Sequence, residues 1–500
     1  MSGECESAIT KTGWGLCNFS VITLCGICMI AEAGASIIIL IVSPLLNCDL
    51  KFESNSVTEM NATVSLGMAF GGFTFGTLVD MNGRKESIPV AMIVIFCGSI
   101  GLAFAHTYFL VNLMIFVLGI GVAGTNLIFR IYMIECLPAR KRGSCLAVLD
   151  FCWIAGYVIF LGICGAMTPS AIELQGNDFR PISWRVMSGL GAAPILVMAC
   201  AMSLLPPSPR FLLYKRHPEQ AISVLRQMFA INFSRHADKY PVTIRSLEGC
   251  IEVDEDEEPN ANKSIRKLIH KYLSKSLKRM KKILTPPCLR VTILCILACC
   301  FHFPGFIWVA LWNTHILKET RNNTGSIVWK SNFTCISDSE SMALAFLNNN
   351  CTQANNAYFL SFLLCSLSFA VGEIILIIAI DIIGRRLFLI LSGLIGSTAL
   401  VAFTFTTRHV TRNVLSICFL SSFAISYTTV TIIILENYPT GLRGTIMGFS
   451  RILPHLVGYF MKILMKLPCL PTLYIASGIM IGATIAAIPL PDLTKAPMKE

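Results

Sequence analysis

Several acidic, basic and hydrogen-bonding residues interrupt long apolar stretches of this 500-residue chain. Charged groups are costly in a hydrocarbon environment, so those found there are candidates for a function. Carboxylates could attract a cation, amides and hydroxyls could hydrogen-bond a polar solute, and aromatic rings could stack on it. The candidates for this chemistry are Glu32, Asn126, Arg130, Asp150, Trp153, His302, Glu373, Tyr427 and Thr431.

Each of these candidates also has a purely structural explanation. Glu32 and Asp150 could pair with Arg130 as buried structural ions. His302 could be a core histidine whose hydrogen bonds are satisfied, and Glu373 could be a solvated acid at a helix end. The rings of Trp153 and Tyr427 could serve only for packing. The sequence leaves both explanations open.

The composition indicates what kind of element must position these residues. The chain is 54% hydrophobic and 14% charged, with a mean hydropathy of +0.67. Soluble domains carry about 25% charged residues, so this composition excludes an ordinary soluble protein. A helix needs about 20 mostly apolar residues to cross the hydrocarbon core of a bilayer. Twelve stretches are predicted to do so: 17–45, 62–80, 88–106, 109–133, 145–167, 185–205, 290–312, 356–380, 387–406, 413–435, 445–465 and 470–490.

The loops between these stretches predict an orientation. An even number of spans puts both termini on the same side of the membrane. Most Lys and Arg residues then fall in the loops and tails of that side, and this excess of positive charge predicts that the side is the cytosol. The sequence leaves open whether the membrane is the plasma membrane or that of an intracellular vesicle.

Cys335 and Cys351 share a predicted outer loop, where a disulfide or two free thiols are the alternatives. Four N-x-[ST] sequons in predicted outer loops are candidate glycosylation sites: Asn61, Asn322, Asn332 and Asn350.

The chain contains an internal repeat. DMNGRK at 80–85 is matched by DIIGRR at 381–386, and ECLPARKRG at 135–143 by ENYPTGLRG at 436–444. In both cases the second copy follows the first by 301 residues. Two motifs with one common offset predict two bundles of like orientation. The predicted organisation is a six-helix bundle at 1–205, a charged cytosolic linker at 206–289, a second six-helix bundle at 290–490 and a cytosolic tail at 491–500.

These motifs resemble those of a known group of proteins. GTLVDMNGRK at 76–85 looks like the signature loop of the major facilitator superfamily. Within it, SWRV at 183–186, PPSPRFLLYKRHPEQAISVLRQ at 206–227 and ENYPTGLRGTIMGFSRI at 436–452 resemble the synaptic vesicle glycoprotein 2 family and, more distantly, the organic ion transporters of solute carrier family 22. The resemblance implies an all-α membrane protein with twelve transmembrane helices in two pseudo-symmetric six-helix bundles. The chain departs from the family pattern at Pro207, where the family's P-E-S-P-R motif has a Glu.

The repeated motifs predict a latch at the inner ends of the helices. Asp80 can stabilise the N-terminus of a neighbouring helix, and Arg84 and Lys85 can pair with Glu135. Several such pairs can hold one face of the protein shut, although they could also serve only to fix the loops. The candidate gating residues are Gly76, Asp80, Gly83, Arg84, Lys85, Glu135, Arg142, Asp381, Gly384, Arg385, Arg386, Glu436 and Arg443.

The sequence therefore predicts a secondary transporter of a small polar organic solute, either sugar-like or an organic cation, that works by alternating access. The alternative is a non-transporting membrane or vesicle glycoprotein that acts in trafficking or protein interaction. We find no motif of an enzyme, of a cofactor or metal site, or of nucleic-acid binding. The expected partners of the monomer are the lipid bilayer and the solute, with a coupling ion left open.

Overall fold

The computed structural model describes the chain in seven stretches. Within them the backbone is helical and contains no β-strand. The described residues are 2–50, 56–173, 183–243, 265–301, 356–406, 408–464 and 469–498. His302, the sequons at Asn322, Asn332 and Asn350, and the Cys335 and Cys351 pair lie outside them.

Sixteen α-helices lie within the described residues, numbered here in chain order. They are α1 Ser2–Lys11, α2 Leu16–Leu50, α3 Ser56–Asn82, α4 Arg84–Ala103, α5 Tyr108–Cys136, α6 Arg142–Glu173, α7 Ser183–Ala201, α8 Pro209–Tyr214, α9 Pro218–Phe233, α10 Ile265–Ile283, α11 Leu289–Cys299, α12 Asn356–Ile383, α13 Arg385–Phe405, α14 His409–Asn437, α15 Arg443–Leu464 and α16 Cys469–Ala487.

Every predicted apolar stretch coincides with one of these helices. In the described part of the chain, nine helices are long and apolar enough to cross a membrane: α2 to α7 and α12 to α14. The other three predicted spans correspond to α11, α15 and α16. Helix α11 ends at Cys299, and residues 302–312 of that predicted span lie outside the described residues.

The helices form two groups that meet along two seams. In the first group α5 packs against α3 and α4, and α2 against α6 and α7; in the second, α13 packs against α14 and α16. The seams between the groups are α3 against α15 and α6 against α12. The offset of 301 residues carries α3 onto α12 and α6 onto α15, so the repeat makes the two seams equivalent.

Part of the segment predicted as a linker is folded. Helix α9 packs with α1 in a small apolar cluster of its own, to which Tyr240 and Val242 also belong. Helix α10 is a basic, amphipathic helix of this segment, whereas the acidic run at 251–260 lies outside the described residues.

The prediction that Asn61 lies in a loop is wrong. Helix α3 begins at Ser56, before the apolar run that was used to place it, and it therefore includes Asn61. A glycosylated sequon is expected in a surface loop, whereas Asn61 lies within a helix and is partly buried. The first turn of α3 is polar and contains Glu59, so the helix extends beyond the apolar part that hydropathy detects.

Candidate functional site

A cluster of polar side chains lies between the two groups of helices. Its members come from six helices, α2, α5 and α6 of the first group and α12, α14 and α15 of the second. Most of them are buried, while Asn126, Trp153 and Tyr427 are partly buried. The cluster, called here the central polar cluster, consists of Glu32, Asn126, Arg130, Asp150, Trp153, Glu373, Tyr427, Thr428, Thr431 and Arg451.

An ion pair anchors the half of this cluster that belongs to the first group. Arg130 pairs with the Oδ1 atom of Asp150, and both side chains are almost completely buried. The same guanidinium donates to the backbone oxygen of Asn126 at 2.7 Å and to the Asn126 side chain. Asp150 is therefore held by a structural partner, which does not prevent it from also facing a solute.

A second arginine joins the two groups. Arg451 donates to Oδ1 of Asn126 at 2.9 Å, to the hydroxyl of Tyr427 at 2.5 Å and to Oγ1 of Thr431 at 2.9 Å. The guanidiniums of Arg130 and Arg451 lie 5.4 and 4.7 Å from the centroid of the Tyr427 ring. The Tyr427 ring is thus in contact with two cations, an attractive arrangement for an aromatic quadrupole.

Two acids complete the cluster. Glu32 is fully buried in α2, and its carboxyl accepts from the hydroxyl of Ser36 at 3.4 Å. Glu373 lies in α12 and contacts Thr428 of α14, whose hydroxyl also contacts Asp150 of α6. The structure therefore brings together eight of the nine predicted site residues, and the ninth, His302, is not described.

Arg451 and Thr428 were not among the predicted site residues. A basic residue within a predicted span was a signal for Arg451, because such charges face a protein interior or a polar cavity. Thr428 is one of several hydroxyl residues in α14, and no pattern in the sequence distinguishes it from its neighbours.

The repeated motifs lie together at one end of the bundle, called here the motif end. Asp80 of α3 accepts hydrogen bonds from the backbone N–H groups of Gly444 and Thr445 at 3.0 and 2.8 Å. The equivalent Asp381 of α12 accepts from the backbone N–H of Ser144 at 2.9 Å. Each aspartate thus caps the first turn of a helix in the opposite group, where unpaired N–H groups and the helix dipole favour an anion.

Two glutamates next to these caps bind arginines of both groups. Glu135 accepts from Arg84 at 2.9 and 2.7 Å, as expected, and its Oε1 lies 3.2 Å from a guanidinium nitrogen of Arg443. The equivalent Glu436 lies 3.2 Å from Arg385 and 3.9 Å from Arg142.

Not every residue of the motifs enters an ion pair. Among the described residues Lys85 forms none, and Arg386 meets Asp492 only through its backbone N–H, at 3.2 Å. Gly83 and Gly384 precede α4 and α13 with φ of 115° and 107°, a region that other residues rarely adopt.

Glycines let the two groups approach closely along the α3/α15 seam. A Cβ atom on Gly448 would lie 1.9 Å from the oxygen of Gly72, and one on Gly76 would lie 2.5 Å from the oxygen of Gly444. The helix backbones are therefore in direct contact, as small residues at spacings of four allow. At the motif end, the α3/α15 seam is closed.

The first helix contributes an acid that the sequence did not indicate. Glu6 of α1 binds Arg142 through both oxygens at 2.9 and 2.8 Å, pairs with Arg210, and accepts from the backbone N–H of Ala139 at 2.9 Å. Burial raises the pKa of the Glu6 carboxyl, but Arg210 and Arg142 outweigh that effect and hold it below its usual value. Glu6 is thus an ionised link between the N-terminus and the motif end.

Apolar spans, two groups of helices joined by repeated motifs, and a buried polar cluster between them define a class of protein. This is an integral membrane protein with the all-helical major facilitator fold. A family model described as sugar (and other) transporter matches residues 51–337, more than half of the chain. The chain therefore belongs to this family.

Individual relatives agree with this assignment. The chain is 24% identical to the synaptic vesicle 2-related protein of Rattus norvegicus, over 98% of this chain and 81% of the relative, which confirms the resemblance seen in the motifs. It is 31% identical to myo-inositol transporter 2 of Cryptococcus neoformans over 35% of this chain and 30% of that protein. Among solved structures, the proton:xylose symporter XylE of E. coli bound to 6-bromo-6-deoxy-D-glucose superposes with a TM-score of 0.68 at 16% identity, covering 96% of this chain and 97% of the symporter.

Proposed function

We propose that the protein is a secondary transporter that moves a small polar solute across a membrane by alternating access. The observation that carries this proposal is the central polar cluster, in which side chains of both groups of helices meet in an otherwise apolar bundle. A site shared by two rigid groups is exposed to one face or the other when the groups rock. In this proposal twelve helices cross the membrane, and the motif end and both termini face the cytosol.

The contacts of the cluster favour a sugar-like or polyol solute over an organic cation. An organic cation would stack on an aromatic face, but the ring of Tyr427 already lies against two guanidiniums. Asp150 is neutralised by Arg130, which leaves less negative charge for a cationic ligand. Arginine, amide, carboxyl and hydroxyl groups remain to hydrogen-bond a polyhydroxylated molecule. The names of the matched inositol transporter and xylose symporter support the same class.

The contacts at the motif end would form the cytosolic gate of this transporter. Asp80 and Asp381 cap helices of the opposite group, and Glu135 binds arginines from both groups. The two caps and the pair of Glu135 with Arg443 cross between the groups, so they must break when this end opens. The same residues would then set the balance between the two states.

Uptake by purified protein in liposomes tests the proposal. Labelled sugars and polyols form one panel and organic cations the other, each with and without imposed pH and Na⁺ gradients. We expect saturable uptake from the first panel and a raised KM in Tyr427→Phe, which loses the hydroxyl contacts to Asn126 and Arg451. Tyr474→Phe is the matched control because Tyr474 is 41% exposed on α16.

Two outcomes would count against the proposal. If only organic cations are taken up, the proposed solute class of sugars and polyols is wrong and organic cations take its place. If no solute of either panel enters the liposomes or raises the melting temperature of the protein, transport is refuted, and the alternative of a non-transporting interaction protein takes its place.

A further inference from the structure

One hydroxyl group in the central polar cluster lies between two carboxyl groups. The Oγ1 atom of Thr428 is 2.7 Å from Oδ2 of Asp150 and 2.8 Å from Oε1 of Glu373. A threonine hydroxyl has one hydrogen to donate and two lone pairs that accept. It can satisfy one carboxylate as a donor, but the second contact at this distance needs a hydrogen that comes from the other carboxyl group.

The neighbours of the two acids decide which of them carries that hydrogen. Asp150 is in an ion pair with Arg130 through its Oδ1 atom, which favours the ionised form of Asp150. The hydroxyl of Thr428 then donates to Asp150, and the carboxyl of Glu373 donates to the oxygen of Thr428. The arrangement therefore contains a protonated Glu373.

The surroundings of Glu373 agree with a neutral side chain. Glu373 is 2% exposed, and its Oε2 atom is buried with no hydrogen-bond partner among the described residues. An ionised carboxylate with an unsatisfied buried oxygen is far more costly than the protonated acid. The protonated form needs only the contact with Thr428.

Among the described residues, the positive charge that acts on Glu373 is that of Arg130, which Asp150 already engages. Helix α12 packs against α6, α14 and, less extensively, α13. At the level of Glu373 these helices present Asp150, a like charge, and Thr428, while the base Arg130 of α5 is already engaged by Asp150. The other acidic and basic residues of these helices and of α12 itself lie toward the helix ends: Arg142, Glu173, Arg385, Arg386, His409, Arg412, Glu436 and Asp381. Tyr427 of α14 and the tyrosines and cysteines farther along these helices carry no positive charge.

We propose that Glu373 is a proton-binding site and that the proton it takes up and releases drives transport. This inference rests on the proposed function and names its coupling ion. When the proton leaves, the O–H bond of Glu373 breaks, water accepts the proton, and two carboxylates face one hydroxyl. Because Asp150 belongs to the first group of helices and Thr428 and Glu373 to the second, that repulsion weakens a contact between the groups.

The first test detects the proton without any transport. Infrared spectroscopy of the purified protein distinguishes a protonated carboxyl group from a carboxylate by its C=O stretch. Because Glu32 is also buried and can contribute to the same band, the Glu373 component is read from the difference spectrum of wild type and Glu373→Gln. We expect this component at neutral pH, and a shift of its pH midpoint in Thr428→Val. Thr429→Val is the matched control, because Thr429 is buried next in sequence and its hydroxyl has no partner among the described residues.

The second test measures coupling in liposomes. An inwardly directed proton gradient should stimulate solute uptake severalfold in the wild type and in Thr429→Val, and it should have no effect in Glu373→Gln. A difference spectrum of wild type and Glu373→Gln without a protonated-carboxyl component, or gradient stimulation that persists in this variant, would overturn the inference. A band that belongs to Glu373 in a protein that transports no solute would instead refute the proposed function and the coupling role while leaving the proton site.

Discussion

A methyl group added at Gly448 should open the motif end of the bundle. The Cβ atom of an alanine there would lie 1.9 Å from the backbone oxygen of Gly72 and 3.4 Å from the Cα atom of Gly76. Real Cβ contacts essentially never fall below 3.0 Å, so the two helices must separate by at least 1.1 Å. The obstructing atoms are the carbonyl oxygen of Gly72 and its carbonyl carbon, at 2.7 Å, and as backbone atoms of α3 they cannot rotate away. The strain therefore acts on the seam between the two groups of helices rather than within either group.

The size of the effect follows from the cost of overpacking. Inserting a methyl group into a close-packed site costs about 1–3 kcal/mol. If the state with separated helices escapes this cost, its population relative to the closed state rises roughly 5- to 150-fold, at about 1.4 kcal/mol per factor of ten. Helix α15 begins at Arg443, so the same displacement also strains the Asp80 contacts at its first turn.

The assay is a distance measurement between the two groups. Probes attached through unnatural amino acids at Asn82 and Arg386, both exposed, report on the separation of the helix ends at the motif end. Gly448→Ala should shift the distance distribution to longer values and lower the rate of uptake. Gly482→Ala in α16 is the control, because a Cβ atom there meets nothing within 4 Å. Identical distance distributions for wild type and Gly448→Ala would refute the reasoning.

Four further substitutions test other parts of the structure. Asp80→Asn replaces a charged helix cap by an amide, at a cost of about 1–3 kcal/mol to the closed motif end, and should reduce uptake while surface expression measured by biotinylation stays unchanged. Glu6→Gln should lower the melting temperature at neutral pH. Since the pKa of Glu6 is lowered by folding, its contribution is complete above the ordinary value of 4.5 and is lost as the pH falls through the folded pKa, so melting curves of the two proteins should converge in acid. Glu32→Gln and Asp150→Asn should each change the KM or the pH profile of uptake, and unchanged kinetics in both would remove the acids from the solute site.

The long apolar helices could be predicted because a helix that crosses a bilayer needs an apolar run of a fixed minimum length. All twelve predicted stretches coincide with helices, with the seventh described only in its first part. The helices outside these stretches could not be found in this way. Helix α1 and helix α9 are amphipathic and short, and their stability comes from the apolar cluster that they form with each other.

Most members of the central polar cluster were predictable from the sequence, but their contacts were not. A charge within an apolar run is unusual enough to be noticed in Glu32, Asp150 or Glu373. Which partner each charge finds depends on how the helices are rotated about their axes, and the sequence does not give this rotation. Thr428 shows the limit, because an ordinary threonine becomes the link between two acids only through the placement of three helices.

The repeat predicts equal contacts at the two seams, and α1 makes them unequal. Arg443 lies 3.2 Å from Glu135, whereas the equivalent Arg142 lies 3.9 Å from Glu436 because its guanidinium is bound to Glu6 at 2.8 Å.

The origin of this difference is visible in the PPSPR motif at 206–210, where α8 begins. The resembled family has an acid where this chain has Pro207, and Glu6 places a carboxylate beside Arg210 of the same motif. Since the attraction between charges falls as their separation grows, the pair of Arg142 and Glu436 holds its seam less firmly than the pair of Arg443 and Glu135. We therefore expect the motif end to begin opening along the α6/α12 seam, and removal of the Glu6 carboxylate to make the two seams more alike by returning Arg142 to Glu436.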